Sequence, residues 1–190
     1  MKNLKKFSFY LLMFCLFSIT ACNSDEDPDD GGGGEEEVIT TLTMTLTPVN
    51  GGDIVQLSFE DLDGDGGDDP TISGGTLQAN AIYSGDIELL NESETPSEDI
   101  TEEVAEEAEE HQFFFSTTVS GLSVTYSDTD ADNNPIGIRT SVTTTDAGTG
   151  NMTVILRHEP DKNADGVSGG NISNAGGETD IEVTFPITVQ

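Results

Sequence analysis

From Thr41 to Thr47 the chain alternates strictly, with Leu42, Met44 and Leu46 set between Thr41, Thr43, Thr45 and Thr47. In an extended strand successive side chains point to opposite faces, so this segment has one face to bury and one to wet. The pattern recurs at Val55-Leu57-Phe59, Ile87-Leu89, Phe113-Phe115, Leu122-Val124-Tyr126, Met152-Val154-Leu156 and Ile181 to Val189, with Ile136, Ile138 and Val142 on a further segment. These are about eight short runs rich in Thr, Val and Ile, separated by Gly, Asp and Asn turns. A strand with one apolar face must bury it against another sheet. The expected fold is therefore all-β: a single antiparallel β-sandwich, immunoglobulin-like, spanning residues 38–190.

One segment breaks the period. Thr95-Pro96-Ser97-Glu98 has the composition of a helix start, with Thr95 as cap, Pro96 at the first helical position and Glu98 closing a capping box. Ile100, Val104 and Ala108 follow at a spacing of four. This predicts one short acidic helix with a thin apolar stripe.

Residues 1–21 have the form of a secretory signal. Lys2, Lys5 and Lys6 precede Phe7–Ala21, a mostly apolar run of 15 residues, which is short for a membrane span. Ile19-Thr20-Ala21-Cys22 resembles a bacterial lipobox, which implies cleavage before Cys22, lipidation of its thiol and attachment to a membrane through the lipid. Residues 22–37 then read as a tether: Asp, Glu and a run of four glycines, with no apolar side chain after Cys22. Ser24-Asp25-Glu26-Asp27 resembles the acidic signal that sends Bacteroidota lipoproteins to the outer face of the outer membrane. A periplasm-facing lipoprotein is the alternative.

The chain holds 6 Lys and Arg against 37 Asp and Glu. Cleavage removes three of the basic residues and no acidic ones, so the mature chain carries 3 against 37, a net charge of −34. Only Arg139, Arg157 and Lys162 stay basic. Such a chain repels nucleic acid and anionic headgroups, and favours cations or basic proteins as partners. Cys15 leaves with the signal and Cys22 is acylated, which excludes a cysteine nucleophile, a thiolate metal site and a disulfide in the mature domain.

His111-Gln112-Phe113-Phe114-Phe115, Arg157-His158-Glu159-Pro160 and Asn174 to Asp180 together resemble a group of small Bacteroidota β-sandwich lipoproteins to which no activity is attached. Some are named after the type 1 periplasmic-binding fold. That fold needs two α/β lobes, and this chain has the pattern of one helix. The resemblance implies the address and no chemistry.

Three loops space carboxylates at every second position. Asp61, Asp63 and Asp65 are followed by Gly66, with Asp68 and Asp69 nearby; Asp128, Asp130 and Asp132 are followed by Asn133; Asp161, Asn163 and Asp165 are followed by Gly166. Alternating oxygen ligands closed by a sharp turn can wrap Ca2+. The twelfth position, where a bidentate Glu belongs, is Ile72, Arg139 or Ile172, so other groups would have to complete each shell. His111 and His158 read as surface or edge histidines, since no motif brings them together for Zn2+. Gly166-Val167-Ser168-Gly169-Gly170 matches a hydrolase elbow in letters only, because the flanking strand and helix are missing from the pattern.

The function expected from these features is an outer-membrane or cell-surface lipoprotein. It would act as a non-catalytic binding module for an extracellular or periplasmic ligand, with Ca2+-stiffened loops. A cell-surface hydrolase of glycan or peptide, a structural acidic coat protein and a periplasmic ligand-binding lipoprotein are the alternatives. In an up-and-down traverse, loops 91–110, 128–135 and 159–180 should share one end of the sandwich as the binding face. Loop 61–75 should lie at the other end.

Overall fold

Thr41–Pro48 forms the first strand (β1), and its Leu42, Met44 and Leu46 are fully buried, as the alternation requires. It belongs to a computed structural model that describes residues 37–64 and 66–190. The signal segment, Cys22, the tether up to residue 36, and Asp65 lie outside the described residues.

The described residues form eleven strands and one α-helix, packed as an all-β sandwich of two sheets. The larger sheet contains β1, β2 (Val55–Glu60), β3 (Thr71–Ser73), β5 (Ile82–Asn91), β8 (Leu122–Tyr126) and β9 (Arg139–Thr144), in the order β3-β2-β1-β5-β9-β8. The two-residue β6 (Glu98–Asp99) adds to the end of β5. The smaller sheet is β4-β11-β10-β7, built from Gly75–Leu77, Glu178–Val189, Gly148–His158 and His111–Thr117. Pairing is antiparallel except between β4 and β11, which run parallel. The strands beyond eight are β3, β4 and β6, each too short to show a period. The chain crosses between sheets at Gly74, where a Cβ would stand 1.9 Å from the Pro186 carbonyl oxygen.

Inward residues of both sheets form one core, including Leu57, Tyr83, Leu89, Phe113, Val142, Met152, Leu156 and Phe185. Each fully buried large side chain contributes about 1.5–3 kcal/mol. A second, smaller core covers the outer face of the four-stranded sheet. There Phe114 packs with Val167 and Ala175 of the 159–177 loop. Phe113, Phe114 and Phe115 are consecutive because both faces of β7 are covered.

The helix (α1) spans Ile100–Glu106 and starts later than the sequence suggests. Glu98 and Asp99 are held extended by pairing with Asn91 and Leu90, so Thr95 and Pro96 cannot open the helix. Asp99 is the cap instead: its Oδ1 accepts from the Thr101 backbone N–H at 3.0 Å. Ile100, Val104 and Ala108 are buried as the spacing of four predicts.

The ladders place the connections. Thr41 pairs with Glu60 and Leu90, His111 pairs with His158, and His158 pairs with Glu178. Loops 91–110, 128–135 and 159–180 therefore lie at one end. Loop 61–70 lies there too, not at the opposite end. It closes a hairpin between β2 and β3, and the unforeseen strands β3 and β4 change the parity of the count.

Candidate metal centre

On β7, His111 has the same parity as Phe113 and Phe115. On β10, His158 has the same parity as Leu156, Val154 and Met152. Both histidines thus continue the inward rows, and they end the core at its loop side. They are buried, at 0% and 6% exposure, which corrects the expectation of surface positions, although His111 does lie on an edge strand, β7. Antiparallel pairing sets them opposite one another, with ring centroids 4.7 Å apart and planes inclined by 26°.

Two carboxylates close over the pair. Glu37 reaches His111 Nε2 with Oε1 at 2.8 Å and His158 Nδ1 with Oε2 at 4.0 Å. It therefore belongs to the sandwich rather than to the tether. Asp180 lies 4.0 Å from the same two nitrogens, and its side chain is fully buried. It gets there through a bulge. Leu156 faces Ile181 but Arg157 faces Thr179, so β11 carries one extra residue at Asp180. A bulge re-aims a side chain in this way.

The outer nitrogens of the rings have neighbours of their own. His111 Nδ1 lies 3.2 Å from the Glu107 carbonyl oxygen, which can only accept, so Nδ1 carries the proton. His158 Nε2 lies 3.9 Å from Glu110 Oε2. In threes, metal-binding atoms come within 4.8 Å of one another in Glu37, His111 and His158, and in Glu110, His158 and Glu159, among the described residues.

The adjoining loops are fixed from inside. Lys162 is buried, and its Nζ donates to the Ala108 carbonyl at 2.5 Å, Asp130 Oδ2 at 3.0 Å and the Pro135 carbonyl at 3.2 Å. One ammonium so ties three loops together. Arg157 donates to the carbonyls of Gly176 and Gly177 and to Thr179 Oγ1. Gly177, at φ +67°, must be glycine, because a Cβ would meet the His158 carbonyl oxygen at 2.1 Å. Tyr126 donates to the Phe113 carbonyl at 2.8 Å. Burial raises its pKa; the Gln112 hydrogen bond lowers it, and the Asp128 charge raises it further.

The Asp-spaced loops turn mostly to their own backbone. Asp128 accepts from the N–H groups of Gly137 and Arg139, at 2.8 and 2.7 Å. Asp130 Oδ1 accepts from Asp132 and Asn134, and its Oδ2 takes Lys162. An internal ammonium stands where a cation was expected. Asp132 is exposed. Asp161 Oδ1 accepts from Asn163 N–H, and Asp165 is exposed. In the remaining loop, Asp61 accepts from Gly64 and Asp63 from Asp68, each at 2.9 Å, while Asp63, Asp68 and Asp69 face solvent. A cleft of about 460 Å³ runs from this loop past Val38, Phe59 and Ser93 to Asp180.

Sequence reasoning missed Glu37, Asp180 and the pairing of the histidines. Parity with Phe113 and Leu156 was the available signal for their burial. The register between β7 and β10 had none. No family model, curated protein or solved structure matches this chain.

Proposed function

We propose that this protein is a lipid-anchored binding module of the bacterial outer membrane, displayed at the cell surface, with a non-catalytic role. The reading is supported by the lipobox-like Ile19-Thr20-Ala21-Cys22 and by the acidic tract after it. The observation that carries the binding role is the gathering of loops 61–70, 91–110, 128–135 and 159–180 at one end of a rigid two-sheet scaffold. Rigid scaffolds characteristically present recognition surfaces on such loop clusters. Ca2+ remains part of the proposal only at Asp61, Asp63, Asp65, Asp68 and Asp69, of which Asp63, Asp68 and Asp69 face solvent.

Two measurements test it. Cys22→Ala should move the protein from the membrane fraction to the soluble fraction; retention in membranes at high salt overturns the anchor. Labelled protein should then be screened on arrays of surface glycans and proteins. Binding should be lost with Leu62→Asp at the loop end and kept with Val49→Asp at the opposite end. Both residues are exposed, so neither change disturbs the core. The reverse pattern overturns the assignment of the binding face.

A further inference from the structure

We propose that Glu37, His111 and His158 bind one divalent transition-metal ion, with Zn2+ as the type, and that Asp180 supplies the flanking carboxylate. The inference is independent of the anchor and of the binding role proposed above.

The ring orientations carry the argument. His111 Nδ1 donates to the Glu107 carbonyl, so a neutral ring presents the lone pair of Nε2 to Glu37 Oε1 at 2.8 Å. Two acceptors at that separation repel unless a proton bridges them or a bound cation draws both lone pairs to itself. Neither His111 Nε2 nor Glu37 Oε2 makes a hydrogen bond, and both are buried. A buried polar atom left in that state is costly and calls for an explanation. Metal-bound histidines characteristically donate their other ring N–H to a carbonyl or carboxylate, which fixes the tautomer. His111 has that arrangement, with Nδ1 donating to the Glu107 carbonyl; His158 Nε2 has Glu110 Oε2 at 3.9 Å, close enough for an ionic contact but beyond hydrogen-bond distance. The inner nitrogens, His111 Nε2 and His158 Nδ1, face the same two carboxylates.

The distances fit an ion after small adjustments. Ligands each about 2.1 Å from a tetrahedral metal lie about 3.4 Å apart. The triad's ligand atoms all fall within 4.8 Å of one another. Closure draws the wider pairs in by at most about 1.4 Å and opens the 2.8 Å contact of Glu37 with His111 by about 0.6 Å. Glu37 can supply the movement, because it sits where the acidic tract meets the domain and precedes the first ladder. Two imidazoles with carboxylate oxygens suit Zn2+ and its first-row neighbours; Ca2+ and Mg2+ prefer shells made of oxygen alone. A divalent charge also offsets that of Glu37, whose carboxylate is drawn in against the two rings. The overlapping triad of Glu110, His158 and Glu159 is exposed on two of its three members, so the buried set is the better site.

The test is Zn2+ titration by calorimetry on the full mature chain in detergent, with excess Ca2+ present to saturate surface carboxylates. One Zn2+ per chain is expected. Glu37→Gln and His158→Gln should each weaken binding by about tenfold or more, while Asp63→Asn leaves it unchanged. Glu37 is peripheral to the core, so its variant folds even if the histidine variant does not; circular dichroism checks this. Co2+ in place of Zn2+ should give visible absorption bands of a nitrogen–oxygen site, absent in the Glu37→Gln chain. No calcium-resistant Zn2+ binding, or binding of equal strength in folded Glu37→Gln, overturns the proposal.

Discussion

Lys162 and Asp130 meet inside the loop end, with Nζ 3.0 Å from Oδ2, both side chains almost fully buried and the two residues 32 positions apart in the chain. The ammonium also caps the Ala108 and Pro135 carbonyls, so its three donors are all used. Removing one partner of a buried pair leaves the other as an uncompensated charge.

Lys162→Met is therefore expected to destabilise the domain by about 3–5 kcal/mol. Adding Asp130→Asn should recover part of that loss, since the amide oxygen still accepts from Asp132 and Asn134. Urea midpoints of the two single variants and the double variant measure the coupling. Strict additivity would show that the pair does not act as a unit.

Glu103 offers a test with a definite sign. Burial raises its carboxyl pKa above the ordinary 4.5, helped by the charge and hydrogen bond of Glu98 and by the charges of Glu37 and Glu107. The fold thus favours the neutral acid, and stability is lost as pH rises from about 4.5 through the raised value. Glu103→Gln should raise Tm at neutral pH and give no gain at about pH 3.5, where the native side chain is already protonated. Melting curves at the two pH values decide it.

The Asp61–Asp69 loop tests calcium. Ca2+ should raise Tm more than NaCl of matched ionic strength, and Asp63→Asn should remove the difference. Equal shifts from both salts would reduce the loop to a solvated turn.

Sorting is tested on cells. Protease added outside should digest the domain, and neutral residues in place of Ser24–Asp27 should protect it. Digestion unchanged by the replacement would remove the acidic tract from the sorting role.

Strands with a clear period were legible because alternation is a local property. Leu42, Met44 and Leu46 needed nothing beyond their neighbours to be placed inward. The helix stripe at Ile100, Val104 and Ala108 was legible for the same reason. Its start was not, because Glu98 and Asp99 are claimed by β5, a partner in a different part of the chain. The same limit applies to the site. Parity could have turned His111 and His158 inward, but their meeting depends on a strand register across 47 residues, and Asp180 depends on a bulge. The spaced carboxylates misled in the opposite way. Spacing shows that Asp128 and Asp130 can face one centre, but not that the centre is backbone N–H and a lysine.

The bulge at Asp180 ties the chemistry of this end to a single codon. Deleting Asp180 would restore the ladder of β11 against β10, with Ile181 still facing Leu156 and Thr179 still facing Arg157. The strands, their inward rows and the second core would keep their alignment, while the pair of histidines would lose a carboxylate. A one-residue deletion there thus removes the flanking carboxylate without shifting the inward rows on either side.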